Sequence, residues 1–188
     1  MDLEAAAQIT ATGLAGIFTG AAAFITMAQH PALLETRELA FQAPYFRRMY
    51  FYAARMQGPL AVGSGLSSLA VYFLQQGARH CGCPVAGMPR LWLASGGIMV
   101  AMVPYTITRM LALNTRLMDT RGCHFQGTAW LQRMLRKWGR LHDIRTGASL
   151  VAFTGMLIAL ACSGKSAITT SEGLRYYPGD HSLLHAQR

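Results

Sequence analysis

ITATGLAGIFTGAAAFITMAQ, residues 9–29, carries no charged side chain. A hydrocarbon core about 30 Å thick needs roughly 20 such residues in a helix, so this stretch is long enough to cross a bilayer. Pro59–Gln76, Leu91–Thr108 and Thr146–Cys162 are equally free of charge. The second and fourth stretches are short and are expected to begin earlier, as helices entering from the preceding connections. The third is expected to run past Arg109 to Leu113, with Arg109 snorkelling or facing the bundle interior. A soluble core could hide one such helix, but 188 residues leave too little polar surface to cover four.

Composition agrees. Hydrophobic residues make up 52% and charged residues 13%, against about 25% charged in a soluble domain. That balance argues against a disordered chain and against a soluble enzyme with a charged surface. The expected fold is all-α: an integral-membrane four-helix bundle over residues 1–162. Its spans fall at about residues 9–29, 57–76, 91–113 and 144–162, followed by a polar, loosely ordered tail over 163–188. Asp2 and Glu4 stand where a cleaved signal would need positive charge.

The net charge of +9 first suggests a nucleic-acid binder, and its placement decides otherwise. Twelve of the 17 Lys and Arg residues fall in the first and third connections. The positive-inside rule then puts those loops in the cytosol and both termini on the lumenal side of an endomembrane, the endoplasmic reticulum being the first choice. The bases anchor the chain to anionic headgroups. No nucleic-acid partner is expected, because the bases do not share one soluble face and no reading motif accompanies them. Interfacial helices are expected in both basic loops. One covers Tyr45–Met56, with Pro44 at its start. The other covers Trp130–Arg145, with Trp130, Met134, Trp138 and Leu141 on one face at spacings of 4, 4 and 3. Gly16 and Gly20, the run Gly63-Ser64-Gly65 and the run Ser95-Gly96-Gly97 suit close helix packing.

On this topology polar side chains collect at the cytosolic end. His30 ends the first span and Gln57 opens the second. Tyr105 and Thr106 follow Pro104 late in the third, and Asn114 ends it. Trp138 and Arg145 flank His142 before the fourth. Such a cluster at membrane depth is a functional site by default, although snorkelling caps would fit the same pattern. His80, His124, His181 and His185 read as solvated. Cys81-Gly-Cys83 lacks the four ligands of a zinc site and fits free thiols or a strained bridge, while Cys123 and Cys162 are scattered. No metal is expected, since the two site histidines lack acidic or thiolate companions. Dinucleotide, haem-attachment and P-loop motifs are absent from the sequence.

Several short segments carry a resemblance. They are His30-Pro31-Ala32, Met56-Gln57-Gly58-Pro59-Leu60, Pro104-Tyr105-Thr106, Asn114-x-x-Leu117 and Trp138-Gly139-Arg140-Leu141-His142-x-x-Arg145. Across roughly residues 9–162 the chain resembles the anthrone oxygenase family, with the Trp-x-x-Leu-His-x-x-Arg segment the most specific part. The family pattern has Thr before the Asn, where this chain has Leu113.

The resemblance implies an oxygenase that converts a polyketide anthrone, such as emodin anthrone, to its anthraquinone. Molecular oxygen would be the co-substrate, and no organic cofactor or metal would be required. On the motif positions, His142 is the first candidate base and His30 the second. Arg145 would stabilise the enolate with help from Tyr105 or Gln57, and Trp138 would stack on the rings. Asn114 and Arg48 complete the expected substrate-binding set. The expected partners are the aromatic polyketide and membrane lipid. A non-catalytic membrane scaffold or carrier for a polyketide pathway is the competing reading.

Overall fold

The computed structural model describes residues 2–80 and 88–175, with side-chain environments for 2–78 and 88–163. Its elements are α1 (Leu3–Phe24), α2 (His30–Thr36), α3 (Leu39–His80), α4 (Pro89–Tyr105), α5 (Leu111–Met118), α6 (Thr120–Gln126) and α7 (Thr128–Arg175). A five-residue π turn, Ile25–Gln29, joins α1 to α2, and a second, Thr106–Met110, joins α4 to α5. Each is marked by a bond five residues back, His30 N–H to Ile25 O and Leu111 N–H to Thr106 O. Gly127, at φ 82°, takes the left-handed backbone that separates α6 from α7.

Helices α1, α3, α4 and α7 pack in a cycle, α1 on α3, α3 on α4, α4 on α7 and α7 on α1. The tightest seam is α3 on α4. A methyl group at Gly65 would lie 3.1 Å from the Gly96 carbonyl, and one at Gly96 would lie 3.1 Å from the Gly65 carbonyl. Gly16 packs under Phe153, whereas Gly20 faces open space, so only half of that expected pair is used. Hydrogen bonds between helices tie the bundle: Ser64 Oγ donates to Ala11 O at 2.8 Å, and Ser68 Oγ to Trp92 O at 2.7 Å.

Among the described residues, three helical stretches are long and apolar enough to cross a membrane: Leu3–Thr36, Pro89–Met118 and Thr128–Ser163. The expected second span lies inside α3. Glycine, serine and glutamine dilute the apolar run of that span, and Arg47, Arg48 and Arg55 lie in α3 before it. Pro44 and Pro59 both lie within α3 rather than at its start.

The helix expected in the third connection is the first half of α7, which continues to Arg175, past the expected boundary at residue 162. Its buried seam runs Leu131, Leu135, Trp138, His142, Arg145, Ser149, Ala152, Met156 and Ala159, alternating spacings of four and three. That is a heptad seam. It corrects the expected face, of which only Trp138 is fully buried. Arg109 is exposed and does not turn into the bundle. The Cys81–Cys83 pair, His181 and His185 lie outside the described residues.

Two apolar clusters fill the interior. One, around Phe18, Trp92, Met99 and Met156, occupies the bundle. The other, around Leu33, Phe46, Met110, Leu117 and Leu135, occupies the end expected to be cytosolic. The polar cluster lies between them.

Candidate active site

The heptad seam of α7 delivers Trp138, His142 and Arg145 to one face, each a turn from the next. All three are buried. They form one wall of a cavity of about 160 Å³. Tyr50, Gln57 and Ala61 on α3 form a second wall. Phe18 and Ile25 close it from α1 and the first π turn, and Met102 and Thr106 from α4 and the second. Both π turns therefore border the cavity, in keeping with the frequent placement of such turns at functional sites.

The contacts of His142 fix its chemistry. Its ring stacks on Trp138, with centroids 4.7 Å apart and planes 10° from parallel. Its Nε2 makes a long hydrogen bond, 3.4 Å, to the carbonyl oxygen of Ala22. A carbonyl only accepts, so in the neutral ring Nε2 holds the proton and Nδ1 holds a lone pair. Nδ1 is buried and has no protein partner. That is the tautomer a proton acceptor requires.

Arg145 presents the opposite charge character. One guanidinium nitrogen, Nη2, donates to Gln57 Oε1. The group also lies over the ring of Phe18, 5.3 Å from its centroid, a contribution of about 2 kcal/mol when desolvated. No carboxylate among the described residues pairs with it. Arg145 Nε and Gln57 Nε2 are buried without partners, like His142 Nδ1. A buried, uncompensated cation is costly. The residues that line the cavity thus hold one bare lone pair, two unmet donors and a positive charge, a set complementary to a weak carbon acid that becomes an anion.

A relay supports this wall. Trp138 Nε1 donates to Asn114 Oδ1 at 2.9 Å, and Asn114 Nδ2 donates to the Tyr50 hydroxyl at 2.9 Å. The Tyr50 oxygen is thereby an acceptor, which leaves its own proton to donate elsewhere. Asn114 lies behind the cavity, fully buried, and positions the two aromatic residues that line it.

The other expected site residues are placed differently. His30 is buried but does not border the cavity; its Nε2 donates to Leu135 O at 2.9 Å, and its ring flanks Trp138 at 5.5 Å. Tyr105 uses its hydroxyl to donate to Leu141 O at 3.1 Å and is also outside the lining. Arg48 is exposed and away from the cavity. Two residues further along α3, Tyr50 lines the cavity instead. The signal that would have found Tyr50 was available, because counting back from Gln57 by four and three along one helix face reaches it.

Gly139 explains how the two histidines pack around one indole. A methyl group there would run into the His30 ring. Gly139→Ala is expected to push His30 off the Leu135 carbonyl and to lower stability by about 1–3 kcal/mol, the usual cost of overpacking a filled core. A fall in the melting temperature of helical circular dichroism, in detergent, measures it.

Among the described residues, no three His, Cys, Asp or Glu side chains converge. No curated protein and no solved structure matches the chain. A family model described as anthrone oxygenase matches residues 46–155, more than half of the chain, and the matched stretch holds Tyr50, Gln57, Asn114, Trp138, His142 and Arg145. The chain belongs to the anthrone oxygenase family.

Proposed function

We propose that this protein oxidises a polyketide anthrone, of the emodin-anthrone type, to the anthraquinone with molecular oxygen and no bound cofactor, in secondary-metabolite biosynthesis. In this reading α3 is the fourth membrane crossing. The basic connections face the cytosol, and the membrane is the endoplasmic reticulum or another endomembrane. The observation that carries the reading is the pairing of an unpartnered His142 Nδ1 with a buried Arg145 that has no carboxylate beside it among the described residues.

The chemistry follows from the substrate class. An anthrone methylene is acidic because loss of its proton makes the central ring aromatic. His142 Nδ1 takes that proton. The charge moves to the carbonyl oxygen, where Arg145 stabilises it, with Gln57 Nε2 and the Tyr50 hydroxyl as further donors. The electron-rich anthrolate passes one electron to O₂, and recombination of the two radicals forms the new C–O bond. The protonated His142 returns its proton to the peroxide. The remaining C–H proton then leaves as the O–O bond breaks, and the departing hydroxide carries it away as water. One O₂ and one CH₂ group give one carbonyl and one water, so no external reductant is needed.

The test is oxygen uptake by the purified protein in detergent with emodin anthrone, set against the uncatalysed rate, with elemental analysis of the same sample. The expected result is quinone formation at one O₂ per anthrone, without stoichiometric iron or copper. Stoichiometric metal that tracks activity would overturn cofactor independence. No turnover, together with tight association to a soluble polyketide enzyme, would favour the scaffold reading.

A further inference from the structure

The cavity has an identifiable mouth. Of the residues that line it, only Ala54 on α3 and Ile107 on the second π turn are exposed, Ile107 by 55%. The remaining lining residues are buried or half-buried. The opening therefore lies on the side of the bundle, between α3 and the second π turn.

The surface around that opening has two characters. Phe51, one turn before Ala54, and Leu111, one turn after Ile107, are large, apolar and 48% and 47% exposed. Arg55, also exposed, lays its guanidinium over the Phe51 ring, 4.9 Å from the centroid. Apolar side chains against acyl tails, with arginines at headgroup level, mark the headgroup–acyl boundary of a bilayer. A flat phenolic hydrocarbon collects at the same depth, with rings in the tails and hydroxyls toward water.

We propose that the substrate enters sideways from this boundary, and that Ala54 and Ile107 decide which molecules pass. The proposal rests on the cavity being the substrate site. Ala54 offers only a methyl group on one side of the mouth, and Ile107 narrows the other. A tricyclic plane slides edge-first between them, while substituents that thicken the plane are excluded.

Ile107→Trp both plugs the mouth and reports on its surroundings. In vesicles, the added tryptophan fluorescence should be quenched by phospholipids brominated near the headgroup end of the acyl chain and not by aqueous iodide. In the same variant, KM for emodin anthrone should rise about tenfold while kcat falls less, the pattern of impaired access rather than impaired chemistry. Ile107→Ala should lower KM for bulkier anthrones relative to the parent. Quenching by iodide with no response to brominated lipid would overturn the route, as would a KM that neither variant moves. If the unaltered protein does not oxidise anthrones, the proposed function fails instead, and the quenching arm still reports which phase the mouth faces.

Discussion

Replacing His142 with alanine is expected to cut anthrone-dependent oxygen uptake by roughly 10²–10⁴ in kcat, the range of a lost general base. The ring is buried and stacked on Trp138, and its Nε2 proton is given to Ala22 O, so Nδ1 is the lone pair left for the substrate. Added imidazole should restore part of the rate, because the vacated space borders the cavity. His30→Ala provides the contrast. His30 donates to Leu135 O and flanks Trp138 without bordering the cavity. Its loss should lower the melting temperature and move kcat far less. An unchanged rate in folded His142→Ala protein, judged by circular dichroism, would place the base elsewhere.

Arg145→Met should separate activity from stability. Activity should fall by roughly 10²–10³, the effect of removing a donor aimed at a developing oxyanion. Stability should move the other way. Replacing a buried ion pair by well-packed apolar side chains gains about 1–4 kcal/mol, and a buried cation with no carboxylate beside it among the described residues is a costlier starting point, offset in part by its contact with the Phe18 ring. The single change strands Gln57 Oε1, which Arg145 now satisfies, at a cost of about 1–3 kcal/mol. The double variant Arg145→Met with Gln57→Leu removes that cost and should melt at a higher temperature than the parent, with no catalysis. A structural arginine would give the opposite result, with both variants less stable.

Three helices long and apolar enough to cross a membrane were legible in the sequence from where charge is missing, and so was the gathering of Gln57, Thr106, Trp138, His142 and Arg145, which line one cavity. The face of α7 was misread for a physical reason. Trp130, Met134, Trp138 and Leu141 share the apolar face that the sequence predicts for an interfacial helix, set by apolar spacing alone. Trp130, Met134 and Leu141 are half-buried against the second apolar cluster, and the fully buried seam passes through His142, Arg145 and Ser149, whose polarity hides it from an apolar count. Arg48 failed for a related reason. It is two residues from Tyr50, which on a helix is close to the opposite side, so proximity in sequence pointed to the wrong surface. Tyr105 has the right chemistry, but its hydroxyl is held by Leu141 O. The two π turns left no compositional trace, because Ile25–Gln29 and Thr106–Met110 resemble their helical neighbours.

Those turns carry a consequence for how this chain tolerates change in length. A π turn amounts to one residue inserted into an α-helix, and the surplus is absorbed locally. Each residue of an α-helix advances the phase by about 100°. Deleting one residue from Ile25–Gln29 would convert the turn to regular helix and leave the segments on either side in phase, so that His30 kept its bond to Leu135 O and Phe18 its place at the cavity. A deletion in Thr106–Met110 would likewise keep Asn114 on the Trp138 indole. A deletion within regular helix of α1 or α4 would instead turn all that follows by that angle, so the two turns are where this chain best absorbs the loss of a residue, and the regular helix between them is where it does not.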